Sequence, residues 1–220
     1  MTIRRLLLAS DEKDEAILRR KCKKAPSIDR GLLRLVDDML DTLYEQEGVG
    51  LAAPQVGVSL RVIVMHLPDE EEPKILINPQ VVKASGEMIG DEACLSIPGY
   101  LGQISRYSDI IVKALDTNGR MVRYKASGDL FSRALQHEMD HLDGILYYDH
   151  LAEGQYLQSA RRADELQITE DNQEVTESSE QDTPPVATDI QETVLNEKSA
   201  SAKTKKSSKA VPAAENEKKI

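Results

Sequence analysis

Residues 136–144 of the chain read QHEMDHLDG and contain the pattern HExxH, with histidines at 137 and 141 and a glutamate at 138. Residues four positions apart share one face of an α-helix, so His137 and His141 can hold one metal ion together. Glu138 would stand at the rim of that site, where a general base for a water molecule belongs. The pattern predicts a metal-site helix, and a surface helix with ordinary histidines is the alternative.

Length and composition predict one folded domain followed by a tail. The chain has 220 residues, and no aromatic residue follows Tyr156. The segment after it is rich in Glu, Ser, Thr, Lys and Ala, and has too little apolar surface to offset the entropy of ordering it. We expect residues 1–167 to form the folded domain and residues 168–220 to be a disordered low-complexity tail, acidic first and then lysine-rich.

Charge, hydropathy and cysteine content argue against several classes of protein. The formal net charge of −10 is unlike that of a DNA-binding protein. The apolar run at residues 6–8 is too short for a secretion signal, and no stretch approaches the roughly 18 apolar residues of a membrane span. Cys22 and Cys94 make no disulfide framework, and Cys22 is interpreted as a free thiol. We therefore expect a cytoplasmic protein that binds neither DNA nor membranes.

Patterns of apolar residues predict the elements before the metal-site helix. Leucine, valine and methionine recur at three- and four-residue steps over residues 28–47, which predicts an amphipathic helix that Gly48 ends. Asn118-Gly119 is a strong hairpin signal. Strands are predicted at residues 60–65, 74–82, 110–115 and 121–125.

The metal-site helix has its own start and stop signals. Asp129 can cap its first turn, and Gly144 can end it. A last helix is predicted between about residues 150 and 167. Together these elements predict an α+β fold, a compact mixed domain whose antiparallel strands surround a central HExxH helix.

A catalytic divalent metal commonly has three protein ligands, so the two histidines need a partner. The extended motif HExxHxxGxxH would place a third histidine where the chain has Tyr147. A thermolysin-like protease would use a glutamate further along, for which Glu153 and Glu165 are candidates. Cys94, in the stretch EACLSIPG at residues 92–99, could complete a His2Cys site as a thiolate. The residues alone leave the cysteine and the glutamates as alternatives.

Three stretches of the chain, taken together, resemble the motifs of bacterial peptide deformylases. In chain order they are GVGLAAPQ at residues 48–55, EACLS at residues 92–96 and QHEMDHLDG at residues 136–144. Their order and spacing match the family, and the resemblance covers roughly residues 30–155. It implies a metal-dependent hydrolase that removes the formyl group from the N-terminal formyl-methionine of nascent polypeptides and releases formate.

The resemblance also implies roles for the metal and its surroundings. Cys94, His137 and His141 would bind one divalent ion, most often Fe2+, with Ni2+, Co2+ or Zn2+ as substitutes. A hydroxide made at that ion would attack the formyl carbon, with Glu138 as general base and then general acid. The implied partners are N-formylmethionyl peptides and, transiently, the ribosome. A zincin-type metalloprotease and a catalytically impaired, metal-stapled domain are the alternatives.

Further residues are implied to contact the substrate. The Gln55 side chain and the Leu95 backbone N–H would stabilise negative charge on the formyl oxygen. Ala93 stands where the family usually has glycine, so alanine would add about 1 kcal/mol of strain if the backbone needed a positive φ. If it did not, the methyl group would only narrow the cleft. The substrate-binding positions implied by the resemblance are Val49, Gly50, Ala93, Arg106, Leu130 and Ala134.

Overall fold

The computed structural model of the protein describes residues 1–160, which contain three α-helices and eight β-strands. The helices are α1 (Glu12–Leu18), α2 (Arg30–Glu45) and α3 (Leu130–Asp143). The strands are β1 (Gly50–Ala52), β2 (Val62–Met65), β3 (Lys74–Ser85), β4 (Met88–Cys94), β5 (Ile97–Arg106), β6 (Asp109–Leu115), β7 (Met121–Ser127) and β8 (Gln158–Ser159). The expected mixed fold with antiparallel sheets is confirmed, whereas the tail predicted at residues 168–220 lies outside the described residues.

The strands form two antiparallel sheets. The larger has the order β1-β2-β3-β6-β7, and the smaller has the order β4-β5-β8. Strand β3 continues past Pro79 because its pairing with β6 shifts register there and Asn78 takes a left-handed conformation with φ 54°. The Asn78 side chain stabilises this bulge by hydrogen bonds to both the N–H and the carbonyl of Ala25. The predicted hairpin joins β6 to β7, with Gly119 at φ 76°.

Helix α3 is held against the larger sheet by its apolar face. Leu135 and Leu142 are fully buried in a cluster with Ile63 and Met65 of β2. Burying a leucine side chain stabilises the folded state by roughly 1.5–3 kcal/mol, so the pair fixes the helix firmly. The HExxH residues lie on this helix, and His137, Glu138 and His141 are therefore buried instead of exposed at the surface.

Helix α2 packs on the opposite face of the same sheet. Leu32, Val36 and Met39 lie in a second apolar cluster with Val62 and Val64. Strand β2 is consequently buried on both faces, which explains why its sequence VIVM is apolar throughout.

The turn after α2 differs from the expectation. The helix ends at Glu45, and Glu47 takes the left-handed conformation with φ 51° that was expected of Gly48. Gly48 is needed for space instead, since a Cβ atom there would lie 2.9 Å from Leu43 Cδ1 and 3.0 Å from Leu95 Cδ1.

The two ends of the described chain contain little regular structure. Residues 1–8 form neither helix nor strand, and the Leu7 N–H donates to the carbonyl of Gln55 at 2.8 Å. The helix predicted from about residue 150 does not begin there: Tyr147–His150 is a 3-10 turn, and β8 follows. The rest of that prediction lies outside the described residues. Within residues 1–160, none of the helices has the length and apolarity that crossing a bilayer requires.

Candidate metal centre

Three buried side chains from two elements meet between the sheets. Cys94 ends β4, and His137 and His141 lie one turn apart on α3. Their ligand atoms all lie within 4.8 Å of one another, and Cys94 Sγ is 3.2 Å from His141 Nε2. Thiolate and imidazole are the donors that a late first-row divalent ion prefers, so the donor set fits a metal centre.

A carboxylate orients the first histidine. Glu92 Oε2 accepts a hydrogen bond from His137 Nδ1 at 3.0 Å. This contact places the ring proton on Nδ1 and leaves the Nε2 lone pair free to bind a metal ion, which is the usual arrangement for a metal-binding histidine. Arg106 pairs with both oxygens of Glu92 at 2.8 Å. The carboxylate is therefore fixed from both sides.

The charges around the centre favour a cation. Burial opposes ionisation of Glu92, but hydrogen bonds from Arg106 and His137 overcome it and hold the pKa of the carboxyl at about 2. Burial also works to lower the pKa of His137, yet its contacts with Cys94 and Glu92 outweigh burial and raise that pKa. A proton or a metal ion can supply the positive charge between the thiol and the carboxylate.

The pKa of the second histidine, His141, shifts in the opposite direction. Burial, reinforced by the neighbouring His137, lowers the pKa of His141. A neutral imidazole is the form that binds metal ions. Nδ1 of His141 is buried and forms no hydrogen bond within residues 1–160.

Glu138 lies beside the centre in a dry environment. The residue is buried, and its Oε2 has no hydrogen-bond partner among the described residues. Burial raises the pKa of this carboxyl to about 7, whereas a nearby divalent cation would lower it. The backbone of Gly50 runs directly past it, since a Cβ atom at Gly50 would lie 2.6 Å from Glu138 Oε1. A small residue at position 50 is what lets the carboxylate occupy this place.

The amide of Gln55 is oriented by the protein. Its Oε1 accepts a hydrogen bond from the Ala52 N–H at 2.8 Å. The amide nitrogen is thereby directed toward the centre, where it lies 3.6 Å from Cys94 Sγ and 3.3 Å from Ser96 Oγ. Gln55 thus presents a hydrogen-bond donor at the centre, on the glycine-rich stretch before β2.

The centre opens into a cleft of about 490 Å³. Glu138 and Cys94 lie on its floor, and Leu130 at the start of α3 is exposed on its wall. A cleft of this size can take a short peptide or a molecule of similar bulk. The other predicted site residues on its wall are Val49, Gly50, Gln55, Ala93, Leu95, Ala134 and His137.

The alternatives to Cys94 as third ligand find no support among the described residues. Tyr147 stands where the extended motif would have a histidine; its ring packs beside His137, and its hydroxyl donates to the carbonyl of Tyr100 at 3.2 Å. Glu153 is exposed, and Glu165 lies outside the described residues. Within residues 1–160 the grouping that could hold a metal ion is Cys94, His137 and His141.

Comparison with known proteins agrees with this geometry. The sequence model of the polypeptide deformylase family matches residues 4–156. The chain belongs to the polypeptide deformylase family. The peptide deformylase of Dehalococcoides mccartyi is 46% identical over 166 residues, which cover 76% of this chain and 96% of that protein.

Solved structures of deformylases share the fold. A peptide deformylase from Synechococcus elongatus in complex with actinonin has a TM-score of 0.63 and 38% identity, covering 68% of this chain and 79% of that one. A Met-Ala-Ser-bound class I type b deformylase from Acinetobacter baumannii has a TM-score of 0.63 and 31% identity, covering 68% and 99%. As a member of this family, the chain is a metal-dependent hydrolase that removes the N-formyl group of nascent peptides.

Two predicted site residues of this deformylase need comment. Ala93 lies on strand β4 and does not have a positive φ. In the described range the non-glycine residues with a positive φ are Glu47 and Asn78. Alanine therefore adds no backbone strain, and its methyl group lies on the cleft wall. Arg106 is placed differently from the expectation: it lies behind the metal centre, not on the cleft wall, and its guanidinium is bound to Glu92 and Asp140.

Sequence reasoning missed the residues that support the ligands of this deformylase. In the sequence, Glu92 is noticeable only as a neighbour of Cys94. The two residues are two positions apart on β4, and residues at that spacing face the same side of a strand, so both side chains point inward. Arg133 lies one turn before His137 and donates to Glu92 Oε1 at 3.0 Å. Helical spacing could have indicated Arg133, whereas Ser96, which contacts Gln55, had no such signal.

Proposed function

We propose that Cys94, His137 and His141 hold the catalytic metal and that Glu138 and Gln55 act on an N-formylmethionyl peptide in the cleft. The observation that supports this proposal most strongly is the meeting of a buried thiol and two buried imidazoles beside a buried carboxylate, at a peptide-sized cleft that Cys94, His137 and Glu138 line. Hydrolysis of a formamide requires a nucleophile, a proton carrier and donors for the developing oxyanion. These residues supply the last two.

A divalent ion, when bound, lowers the pKa of a water ligand and polarises the formyl oxygen. Glu138 accepts a proton as the oxygen of water adds to the formyl carbon, and the proton then goes to the amine nitrogen as the C–N bond breaks. The products are formate and a peptide with a free N-terminus. Because Glu138 is buried and has an unengaged oxygen among residues 1–160, it can make this transfer without first breaking another bond.

Gln55 and Leu95 are proposed to stabilise the oxyanion. The Gln55 amide nitrogen faces the centre because its oxygen is already bonded to Ala52. The backbone of Leu95 follows Cys94 directly and lines the cleft. Preorganised donors of this kind cost no rearrangement when negative charge appears on the formyl oxygen.

The remaining cleft residues are assigned to the peptide. Leu130 and Ala134 are one turn apart on α3 and supply apolar surface for the methionine side chain. Val49, Gly50 and Ala93 border the same cleft and are proposed to contact the peptide backbone. The Acinetobacter baumannii deformylase has the peptide Met-Ala-Ser bound, and we propose that the cleft of this chain takes a peptide of the same kind.

We further propose Fe2+ as the native metal, with Ni2+, Co2+ or Zn2+ able to replace it.

The proposed catalytic domain spans residues 1–167, and the proposed location is the cytoplasm, where nascent chains emerge. The ribosome is a transient partner in this proposal. Deletion of residues 168–220 tests whether the tail contributes to ribosome binding. Unchanged affinity for the ribosome would show that it does not.

Gly50→Ala is expected to lower kcat about 100-fold. The new methyl group would overlap the Glu138 carboxylate and displace it, and misplacement of a catalytic group by about 1 Å can cost about 100-fold in rate. Gly31→Ala is the matched control, because Gly31 is an exposed residue of α2 and a methyl group there meets only the Asp29 side chain, at 3.1 Å. Formate release by the two variants, at equal metal content, measures the difference. Equal activity of the two would contradict the assigned place of Glu138.

Ala93→Gly is expected to change kcat/KM by less than about threefold. Position 93 needs no positive φ, so the substitution relieves no strain. It removes one exposed methyl group from the cleft wall, which is worth less than the roughly 0.8 kcal/mol of a fully buried methylene group. Initial rates on formyl-Met-Ala-Ser compare the two proteins. A gain of more than about tenfold in the glycine variant would show that alanine impairs the enzyme.

The proposed function is tested by substrate selectivity. Protein loaded with Fe2+ or Ni2+ is incubated with formyl-Met-Ala-Ser, with acetyl-Met-Ala-Ser, and with a longer peptide blocked at its N-terminus. We expect release of formate from the first and no turnover of the other two. Cleavage of the longer peptide at internal bonds would instead identify a zincin-type protease.

A further inference from the structure

A chain of polar contacts connects His137 to the surface on the side away from the cleft. Beyond Glu92 and Arg106, the Nη1 atom of Arg106 lies 2.5 Å from Asp140 Oδ2. The same oxygen lies 2.7 Å from His150 Nε2. Four hydrogen bonds in sequence therefore join His150 to His137.

The three inner members of this chain are more buried than the two outer ones. The exposed fraction of the side chain is 35% for His150, 20% for Asp140 and 4% for Arg106. It is 3% for Glu92 and 9% for His137. His150 is therefore the outer end of a network whose other end is a metal ligand.

His150 borders a second cavity of about 630 Å³, together with Arg106 and Asp140. In the described part of the chain, residues 1–160, this cavity and the cleft have no lining residue in common. A change at His150 can thus reach the reaction through the network without altering the surface that receives the peptide.

The network explains why a hydrogen bond from His150 matters. Asp140 can only accept hydrogen bonds as a carboxylate, so His150 must carry its proton on Nε2. Two donors on one Asp140 oxygen fix that carboxylate, which in turn fixes the Arg106 guanidinium. Arg106 then holds Glu92 in the orientation that the His137 Nδ1 proton requires.

We propose that His150 is a positioning residue for the metal ligand His137, acting through Asp140, Arg106 and Glu92. Its role is to hold the ligand's orientation, not to contact substrate or metal. This inference rests on the proposed metal centre and names a residue, on the 3-10 turn after α3, that the proposed reaction does not otherwise use.

The test is the rate at which Ni2+-loaded protein loses its metal to an excess of chelator. His150→Phe keeps a ring of similar shape but has no N–H, and we expect it to release Ni2+ about three- to tenfold faster. This change is smaller than the roughly 10- to 100-fold loss of metal affinity expected when a residue bonded directly to a metal ligand is removed. His150→Gln keeps a donor for Asp140 and should stay within about twofold of the parent. His66→Phe is the matched control, because His66 makes hydrogen bonds to Tyr44 and Glu70 and none to this network.

The outcomes separate the role of the hydrogen bond from other roles. Faster metal loss confined to His150→Phe, accompanied by a lower kcat and an unchanged KM for formyl-Met-Ala-Ser, supports the proposal. Equal rates for the parent and His150→Phe overturn it, as does equal impairment of the Phe and Gln variants, which would indicate packing alone. Metal release does not depend on turnover, so a parent that binds Ni2+ but releases no formate would contradict the proposed function and leave this test intact.

Discussion

Replacing Glu138 by glutamine is expected to lower kcat for formate release by about 100- to 10,000-fold, the usual contribution of a positioned general acid or base. Glutamine has nearly the same shape, but its amide cannot accept and return the proton. The expected KM is close to that of the parent, because Glu138 lies on the cleft floor beside the metal centre and the cleft walls are unchanged. Steady-state rates on formyl-Met-Ala-Ser, with metal content measured on the same samples, give both quantities.

The control for this variant is Glu153→Gln. Glu153 is exposed, and it was also the alternative third ligand of a thermolysin-like site. We expect its variant to match the parent in both metal content and rate. If Glu138→Gln retained more than about a tenth of the parent's kcat, Glu138 would not be the proton carrier.

Replacing Cys94 by alanine is expected to abolish formate release by removing the metal. The variant loses one of three ligands, and we expect its metal affinity to fall by more than about 100-fold, which is the upper range for losing only an outer partner of a ligand. Gln55 also loses its sulfur contact, although its hydrogen bond to Ala52 remains. Metal content after gel filtration and formate release are measured together.

The chain provides a matched control in its other cysteine. Cys22 is also buried, and burial raises the pKa of its thiol to about 11, so it stays protonated at neutral pH. Cys22→Ala removes the same atom from the apolar cluster that holds α3 against the sheet, to which none of the three proposed ligands belongs. We expect full metal content in that variant. Full metal content in Cys94→Ala would contradict the assigned ligand set.

Local signals in the sequence were sufficient for the main helices and the hairpin. The cap at Asp129 and the glycine at 144 determine both ends of α3, and the structure has the Asp129 side chain accepting from Ser132 N–H at 2.7 Å. The Asn118-Gly119 pair similarly determines the β6-β7 turn. These signals depend on a few neighbouring residues, which a sequence displays directly.

The parts that the sequence did not predict depend on contacts between distant residues. Arg106 was expected beside the peptide, but two carboxylates separated from it by 14 and 34 positions hold it behind the centre. The lack of space at Gly48, next to the turn at Glu47, comes partly from Leu95, far along the chain. Sequence spacing does not reveal which distant charges will pair in the folded protein.

The metal centre could be predicted from the sequence only in part. Helical spacing predicted that His137 and His141 could share an ion, but the residues alone did not decide between Cys94 and a glutamate as the third ligand. The resemblance to deformylases favoured the cysteine. The structure supplies the physical reason, since β4 ends where its thiol lies 3.2 Å from His141 Nε2.

The most direct test of the central claim is the joint measurement of formate and free N-terminal amine produced from formyl-Met-Ala-Ser by protein that carries one divalent ion per chain. We predict that the two products appear in equal amounts over many turnovers and that removing the ion stops both. Protein that holds the ion at Cys94, His137 and His141 but yields no formate would contradict the account.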